Sequence, residues 1–216
     1  MHVFFFLLTS AAMVSAQAKP YIGVLGGVAT LSGDAGSQTA VQGLNLSSYA
    51  PANGGAIDAF AGLHFHDYFS VQGNFIWNEN DLQLNSASSS SGTSYQEKRT
   101  SSQEAGVLDF LIYFRGLQSH LRPYLGTGVG VIHLSTTETR VIESQGVPAL
   151  PPAMFSYTGP VFRSHVGIDL RLTRRLDFRY SFSEFIGHDE VSKHLSPPGS
   201  SALKNFQNLF GFVMHL

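Results

Sequence analysis

A period of two, repeated over segments of about ten residues, constrains this chain more than any other feature. In Ile57, Ala59, Ala61, Leu63 and Phe65 every second residue is apolar, with Asp58, Phe60, Gly62 and His64 between them. Only an extended strand gathers such residues onto one face. The chain reverses within 66–70 and repeats the pattern with Val71, Gly73, Phe75 and Trp77 against Gln72, Asn74, Ile76 and Asn78, which predicts a hairpin.

The same alternation recurs along the chain. Leu108, Phe110, Ile112 and Phe114 form the next apolar row, with Asp109 and Tyr113 among their alternates. From Pro123 to Val131, Leu125, Val129 and Val131 lie opposite a glycine-filled face. Phe162, Ser164, Val166, Ile168, Leu170 and Leu172 alternate with Arg163, His165, Gly167, Asp169 and Arg171. Thr173, Arg174 and Arg175 turn the chain, and Leu176, Phe178, Tyr180 and Phe182 return it. A first strand over Tyr21 to Leu31 and a last one carrying Phe210, Phe212, Met214 and Leu216 bring the expected number to eight. Three connections, near Asp67, Leu117 and Arg174, are short; four, Ser32–Asn53, Glu79–Thr100, Thr139–Thr158 and Gly187–Leu203, read as long solvated loops. An even strand count with short turns at one end and long loops at the other predicts an all-β fold, an eight-stranded antiparallel up-and-down transmembrane β-barrel.

The sign of the pattern favours lipid outside. A soluble barrel also alternates, but it points its charges outward. Here the mixed face holds Gly62, Gly126, Gly128, Gly130, Gly167 and Gly211 together with Asp58, Asp109, Arg163, Asp169, Arg171, Asp177 and Arg179. The large apolar rows carry no Asp, Glu, Lys or Arg between the strand ends. Glycines and opposite charges suit the cramped lumen of eight strands, whereas an Arg or Lys facing mid-bilayer lipid costs about 2–4 kcal/mol. Tyr21, Phe65, Tyr68, Phe69, Trp77 and Phe114 fall near strand ends, as an interfacial aromatic girdle requires.

Residues 1–18 read as a signal peptide: an apolar core from Val3 to Leu8 leads into the small residues Ser15, Ala16 and Ala18. That stretch is too short to cross about 30 Å of hydrocarbon as a helix, so residues 19–216 are expected to form the barrel domain, in the bacterial outer membrane. Net charge is −2 and the sequence pI about 6.5, which gives no basic stripe for nucleic acid. The chain has no cysteine, so disulfides, thiolate metal sites and cysteine nucleophiles are excluded.

Three stretches carry a family likeness. Leu121–Val131 (LRPYLGTGVGV), Val166–Phe185 (VGIDLRLTRRLDFRYSFSEF) and Leu209–Leu216 (LFGFVMHL) resemble the OmpA-like small outer-membrane β-barrel family. The resemblance implies that outer-membrane lipid surrounds the barrel and that the insertion machinery reads its C-terminal strand. Phe210, Phe212 and Met214 match that signal, with Leu216 in place of the usual terminal aromatic. The chain is expected to end at this strand, without a peptidoglycan-binding domain.

Few constellations suggest chemistry. A three-residue turn at 173–175 sets Leu172 against Leu176, so Arg171 should meet Asp177, and Asp169 should meet Arg179, as ion pairs in the lumen. His64 and His66 share a strand face at metal-ligand spacing but lack a third ligand. His188 and His194, near Asp189 and Glu190, lie in a solvated loop, so no metal and no cofactor is expected. His133-Leu134-Ser135, followed by Glu138 and Glu143, is similar to the His-x-Ser motif of outer-membrane lipid A deacylases, in which a hydroxyl needs an adjacent base and an orienting acid. The preferred reading is non-enzymatic: a barrel with a structural or surface-interaction role, meeting an extracellular ligand through long loops and through apolar residues in 147–155. A narrow pore, or an esterase using His133, Ser135 and Glu143, stands as the alternative.

Overall fold

The computed structural model describes residues 18–31, 45–146, 150–188, 190–196, 198 and 202–216. Apart from Ala18, the leader expected over residues 1–18 lies outside the described residues. Among them run strands β1 (Lys19–Leu31), β2 (Asn45–Pro51), β3 (Asn53–His66), β4 (Phe69–Ser88), β5 (Thr93–Tyr113), β6 (Leu121–Gln145), β7 (Met154–Arg171) and β8 (Leu176–His188). A one-turn helix α1 (Glu190–Lys193) and strand β9 (Ala202–His215) follow.

All pairings are antiparallel, and the order β1, β3, β4, β5, β6, β7, β8, β9 closes back on β1. β2 pairs only with the far end of β4, where β3 has ended. At the break between them, the Ala52 N–H donates to the Asp81 carbonyl at 2.8 Å. β2 and β3 are therefore two stretches of one wall, and the ring has eight positions. Closure leaves the ring no edge, the condition for crossing hydrocarbon with strands.

The apolar rows point outward. Phe75 is 57% exposed, Leu108 63% and Val129 64%, whereas Asp58, Arg163, Asp169 and Arg179 are each 1% exposed. Water outside such a surface would be met by an apolar belt running right round the wall, so the outer face is suited to hydrocarbon. The belt stops sharply. Glu79 follows Trp77 on β4, Glu104 precedes Gly106 on β5, and Glu184 follows Phe182 on β8. Phe69 to Trp77 thus supplies roughly the 9–11 residues that a tilted strand needs to cross.

Tight reversals at Asp67–Tyr68 and 172–175 lie at the same end as Lys19 and Leu216, and there the Leu216 N–H donates to the Pro20 carbonyl at 3.0 Å. By the habit of such barrels this end is periplasmic. Tyr21 does not belong to an aromatic girdle: it is 1% exposed and faces the lumen, because Pro20 and Ile22 occupy the outward positions of β1.

Two of the four expected loops, Glu79–Thr100 and Thr139–Thr158, are largely strand. β4 and β5 stay paired as far as Ser88 and Thr93 and turn through 89–92, with Gly92 at φ +64°. β6 continues to Gln145. The alternation persists here, with Leu82 and Leu84 inside, but the outward residues are Asp81, Gln83 and Asn85, as suits chain that has left the lipid. The expected loop Ser32–Asn53 contains β2, with 32–44 outside the described residues, and the expected loop Gly187–Leu203 contains α1.

Candidate functional site in the lumen and at its outer mouth

The inward faces build a filled interior, layer upon layer. Near the periplasmic end Arg179 from β8 forms a two-pronged bond to Asp169 of β7, Nε to Oδ1 at 2.6 Å and Nη2 to Oδ2 at 2.8 Å. The same guanidinium donates to Gln72 Oε1 at 2.9 Å and to the Tyr113 hydroxyl at 2.8 Å, so it reaches from β8 across to β4 and β5. Asp177 lies 3.8 Å from Arg171 Nε and 2.8 Å from His215 Nε2. Arg122 lies over the ring of Tyr113 at 3.9 Å.

One layer up, Arg163 of β7 bridges two carboxylates. Nη1 donates to Asp109 Oδ2 of β5 and Nη2 to Asp58 Oδ2 of β3, each at 2.9 Å. Asn74 of β4 donates to Asp109 Oδ2, also at 2.9 Å. Glycine makes room for this layer: a methyl group at Gly128 would overlap the Asp109 carboxylate, and one at Gly126 the His165 imidazole. Such buried charges are tolerable only where each meets an opposite charge and further hydrogen bonds.

Above the ions lie amides within an apolar core. Asn205 of β9 donates to Asn78 Oδ1 at 3.1 Å and to Gln103 Oε1 at 2.8 Å, tying β9 to β4 and β5. Apolar side chains flank them on both sides, Ile76, Val107 and Ile132 towards the ions and Leu82, Leu84 and Tyr95 towards the outer mouth. The outer mouth is covered by chain from two directions. Val191 of α1 and Leu195 are buried in the apolar core, and the Ser196 N–H donates to the Tyr95 hydroxyl at 3.0 Å. From the other side, Arg99 donates to the carbonyls of Pro152 at 2.6 Å and Ala153 at 3.2 Å, pairs with Glu97 at 2.5 Å and lies 4.8 Å from the Phe155 ring. His194 stacks on the same ring with centroids 4.1 Å apart. Burial pushes the Glu97 carboxyl above its ordinary range against the pull of Arg99, and burial pushes His194 below the ordinary imidazole range.

The candidate catalytic residues are not assembled. His133 is exposed on the outer face just above the apolar belt, and its Nδ1 is 2.7 Å from Thr158 Oγ1. Ser135 follows two residues on, but Glu143 lies a further eight residues along β6, on the order of 25 Å away. The alternative triad therefore does not assemble with Glu143, and the carboxylate nearest His133 is Glu104, its partner on β5. His64 is buried and stacks on Tyr21 at 4.6 Å, whereas His66 Nδ1 accepts the Tyr68 N–H at 3.3 Å, so the two imidazoles do not converge. Among the described residues there is no cluster of three metal-ligating side chains, and Asp189 lies outside them. His188 Nε2 is 3.4 Å from Glu190. Of the apolar segment 147–155, residues 147–149 lie outside the described residues, Phe155 packs on the lumen core, and Met154 is exposed.

Sequence reasoning missed the Arg163 bridge, because its partners stand across the lumen and not on neighbouring strands. It also missed Arg99 and Glu97, which it placed in a loop. The inward spacing of Tyr95, Glu97 and Arg99 carried a usable signal, since it keeps the period of two.

A closed antiparallel ring with an apolar belt outside and fixed charges inside defines an integral outer-membrane β-barrel protein. The chain belongs to the outer membrane protein beta-barrel domain family, whose profile matches residues 3–199. It is located in the outer membrane, with lipid around its belt. Its fold is similar to that of the outer membrane protein OprG from Pseudomonas aeruginosa, with a TM-score of 0.55, 14% identity, and coverage of 93% of this chain and 97% of that one. Also similar are Neisserial surface protein A (TM-score 0.47, 16% identity, 91% and 97% covered) and Ail, the attachment invasion locus protein of Yersinia pestis (0.46, 9%, 92% and 97%). No curated protein matches the sequence.

Proposed function

We propose that this barrel is a non-enzymatic surface protein that contacts molecules outside the cell through the part of β4, β5 and β6 rising beyond the lipid. One observation carries the reading: these strands continue roughly ten residues past the belt, and they do so over a lumen already filled with side chains. A pore finds little support, because Arg163, Asp58 and Asp109 span the lumen and two segments cover its mouth. Catalysis finds little either, with Glu143 remote from His133 and Ser135. The apolar leader exports the chain, and the alternating β9 presents the insertion signal.

The test is a shortened barrel. In a variant with residues 82–99 replaced by Asn-Gly, Asp81 and Thr100 become the ends of a two-residue hairpin. Cells displaying the intact protein should attach to polystyrene and to epithelial monolayers more than cells displaying the shortened one at equal surface density. Equal attachment would overturn the reading, and a steady current through the intact barrel in planar bilayers would favour the pore.

A further inference from the structure

Above the lipid the ring opens. The pairing of β7 with β6 ends at Met154 opposite Thr137, and the Glu138 N–H then donates to the Ala153 carbonyl at 2.7 Å. Beyond it, Thr139 to Gln145 keep β5 on one side and have no strand on the other among the described residues. All seven are exposed. An unpaired run of backbone amides and carbonyls is a template for another strand.

The side chains on this edge narrow the choice of strand. The β5–β6 register shifts between Gln96 and Glu97 and again between Lys98 and Arg99, leaving Ile142 and Thr139 as extra residues on β6. Bulges often blunt an exposed edge. Here they turn Arg140, opposite Lys98, and Glu143, opposite Gln96, onto the same outward face, with Val141 between them facing inward beside Glu97. In a regular strand, residues three apart would face opposite sides. Read against its own reverse, the edge is self-complementary: centred between Val141 and Ile142, Arg140 falls opposite Glu143 and Glu143 opposite Arg140. Lys98 and Arg140 are like charges directly across the β5–β6 pair, an unfavourable arrangement, and neither has an ion-pair partner among the described residues. An arriving carboxylate on that face would relieve it.

We propose that the edge Thr139–Gln145 pairs antiparallel with the same edge of a second copy of this chain, standing in a facing outer membrane. The inference rests on the surface-contact reading and names the partner. Geometry decides that the membranes face each other. An isologous antiparallel pair has its twofold axis perpendicular to the sheet, and the wall of a barrel runs along the membrane normal. A half-turn about that axis inverts the normal, so the second barrel points the other way. Val141 stands ten residues beyond Val131, the last apolar residue in its outward row, or roughly 25 Å above it for strands tilted by ~40°. The contact is thus homotypic adhesion between two envelopes.

The test uses the full chain in phosphatidylcholine vesicles, with clustering followed by light scattering. Wild-type vesicles should cluster at low salt. Vesicles bearing only Arg140→Glu, or only Glu143→Arg, should cluster about ten-fold less or worse, because both symmetry-related pairs become repulsive. Mixing the two populations, or combining both changes in one chain, should restore clustering, since each Arg again meets a Glu. Heat-modifiable gel migration verifies that every variant is closed. Dispersed wild-type vesicles, single variants that cluster like wild type, or a mixture that does not recover would each overturn the proposal. If clustering fails while attachment of whole cells still depends on residues 82–99, the homotypic partner is wrong and the surface-contact reading stands. If attachment is also independent of them, that reading falls as well.

Discussion

Asp169 and Arg179 lie directly opposite each other on β7 and β8, joined by two hydrogen bonds of 2.6 and 2.8 Å, and both are 1% exposed. A buried ion pair held this way contributes little net stability against an apolar substitute, but losing one partner strands the other. Asp169→Asn alone should cost about 3–5 kcal/mol, and adding Arg179→Met should recover more than half of the loss. Urea unfolding in lipid vesicles, run as a double-mutant cycle, reads the coupling. Additive losses would show that the guanidinium is held by Gln72 and Tyr113 without need of the carboxylate.

A charge placed on the outer wall should be costly or harmless according to height. Leu108 lies opposite Gly73, midway between Phe69 and Trp77, so Leu108→Arg should destabilise by about 2–4 kcal/mol. Thr100→Arg, on the same strand and face but above Glu104, should cost less than about 1 kcal/mol. The two midpoints in a urea titration decide it.

The cover over the outer mouth should loosen in acid. Burial holds the His194 imidazole below its ordinary range, so the ring on Phe155 is neutral. A group with a lowered folded value favours the closed form above its ordinary range near 6.5, and this stabilisation declines as pH falls below that range. The hydrogen-exchange protection factors of residues 190–196, with the intrinsic pH dependence of exchange divided out, should therefore fall between pH 7.5 and 5. In His194→Phe that pH dependence should shrink, and an unchanged profile would assign it to another group.

Purified protein should show no esterase activity that Ser135→Ala removes, because His133 engages Thr158 and Glu143 is remote. A serine-dependent hydrolysis would require those three residues to converge in a way this wall does not provide.

Much of the wall was open to reading from the residues alone. Alternation in Phe75, Leu108, Val166 and Phe210 points one face at lipid, and the turn at 173–175 suffices to count the β7–β8 register. Two things were not open. Arg163 meets Asp58 and Asp109 across the lumen, and which distant residues come level depends on the stagger of the whole ring, which no hairpin count reveals. The strands above the belt read as loops in the sequence because outward residues turn polar once the solvent changes from hydrocarbon to water. Leu82 and Leu84, inward and alternating, were the trace that remained.

The account depends on hydrocarbon lying against the outward rows, and the chain's single tryptophan reports on it without a label. Trp77 sits on the outer face at the upper limit of the belt, two residues before Glu79 and opposite Glu104. In vesicles of brominated phospholipid its fluorescence should be quenched, more by bromine near the head of the acyl chain than by bromine near its end, and little by aqueous acrylamide. Strong acrylamide quenching with no effect of brominated lipid would contradict the outward assignment of Trp77 and, with it, the membrane wall.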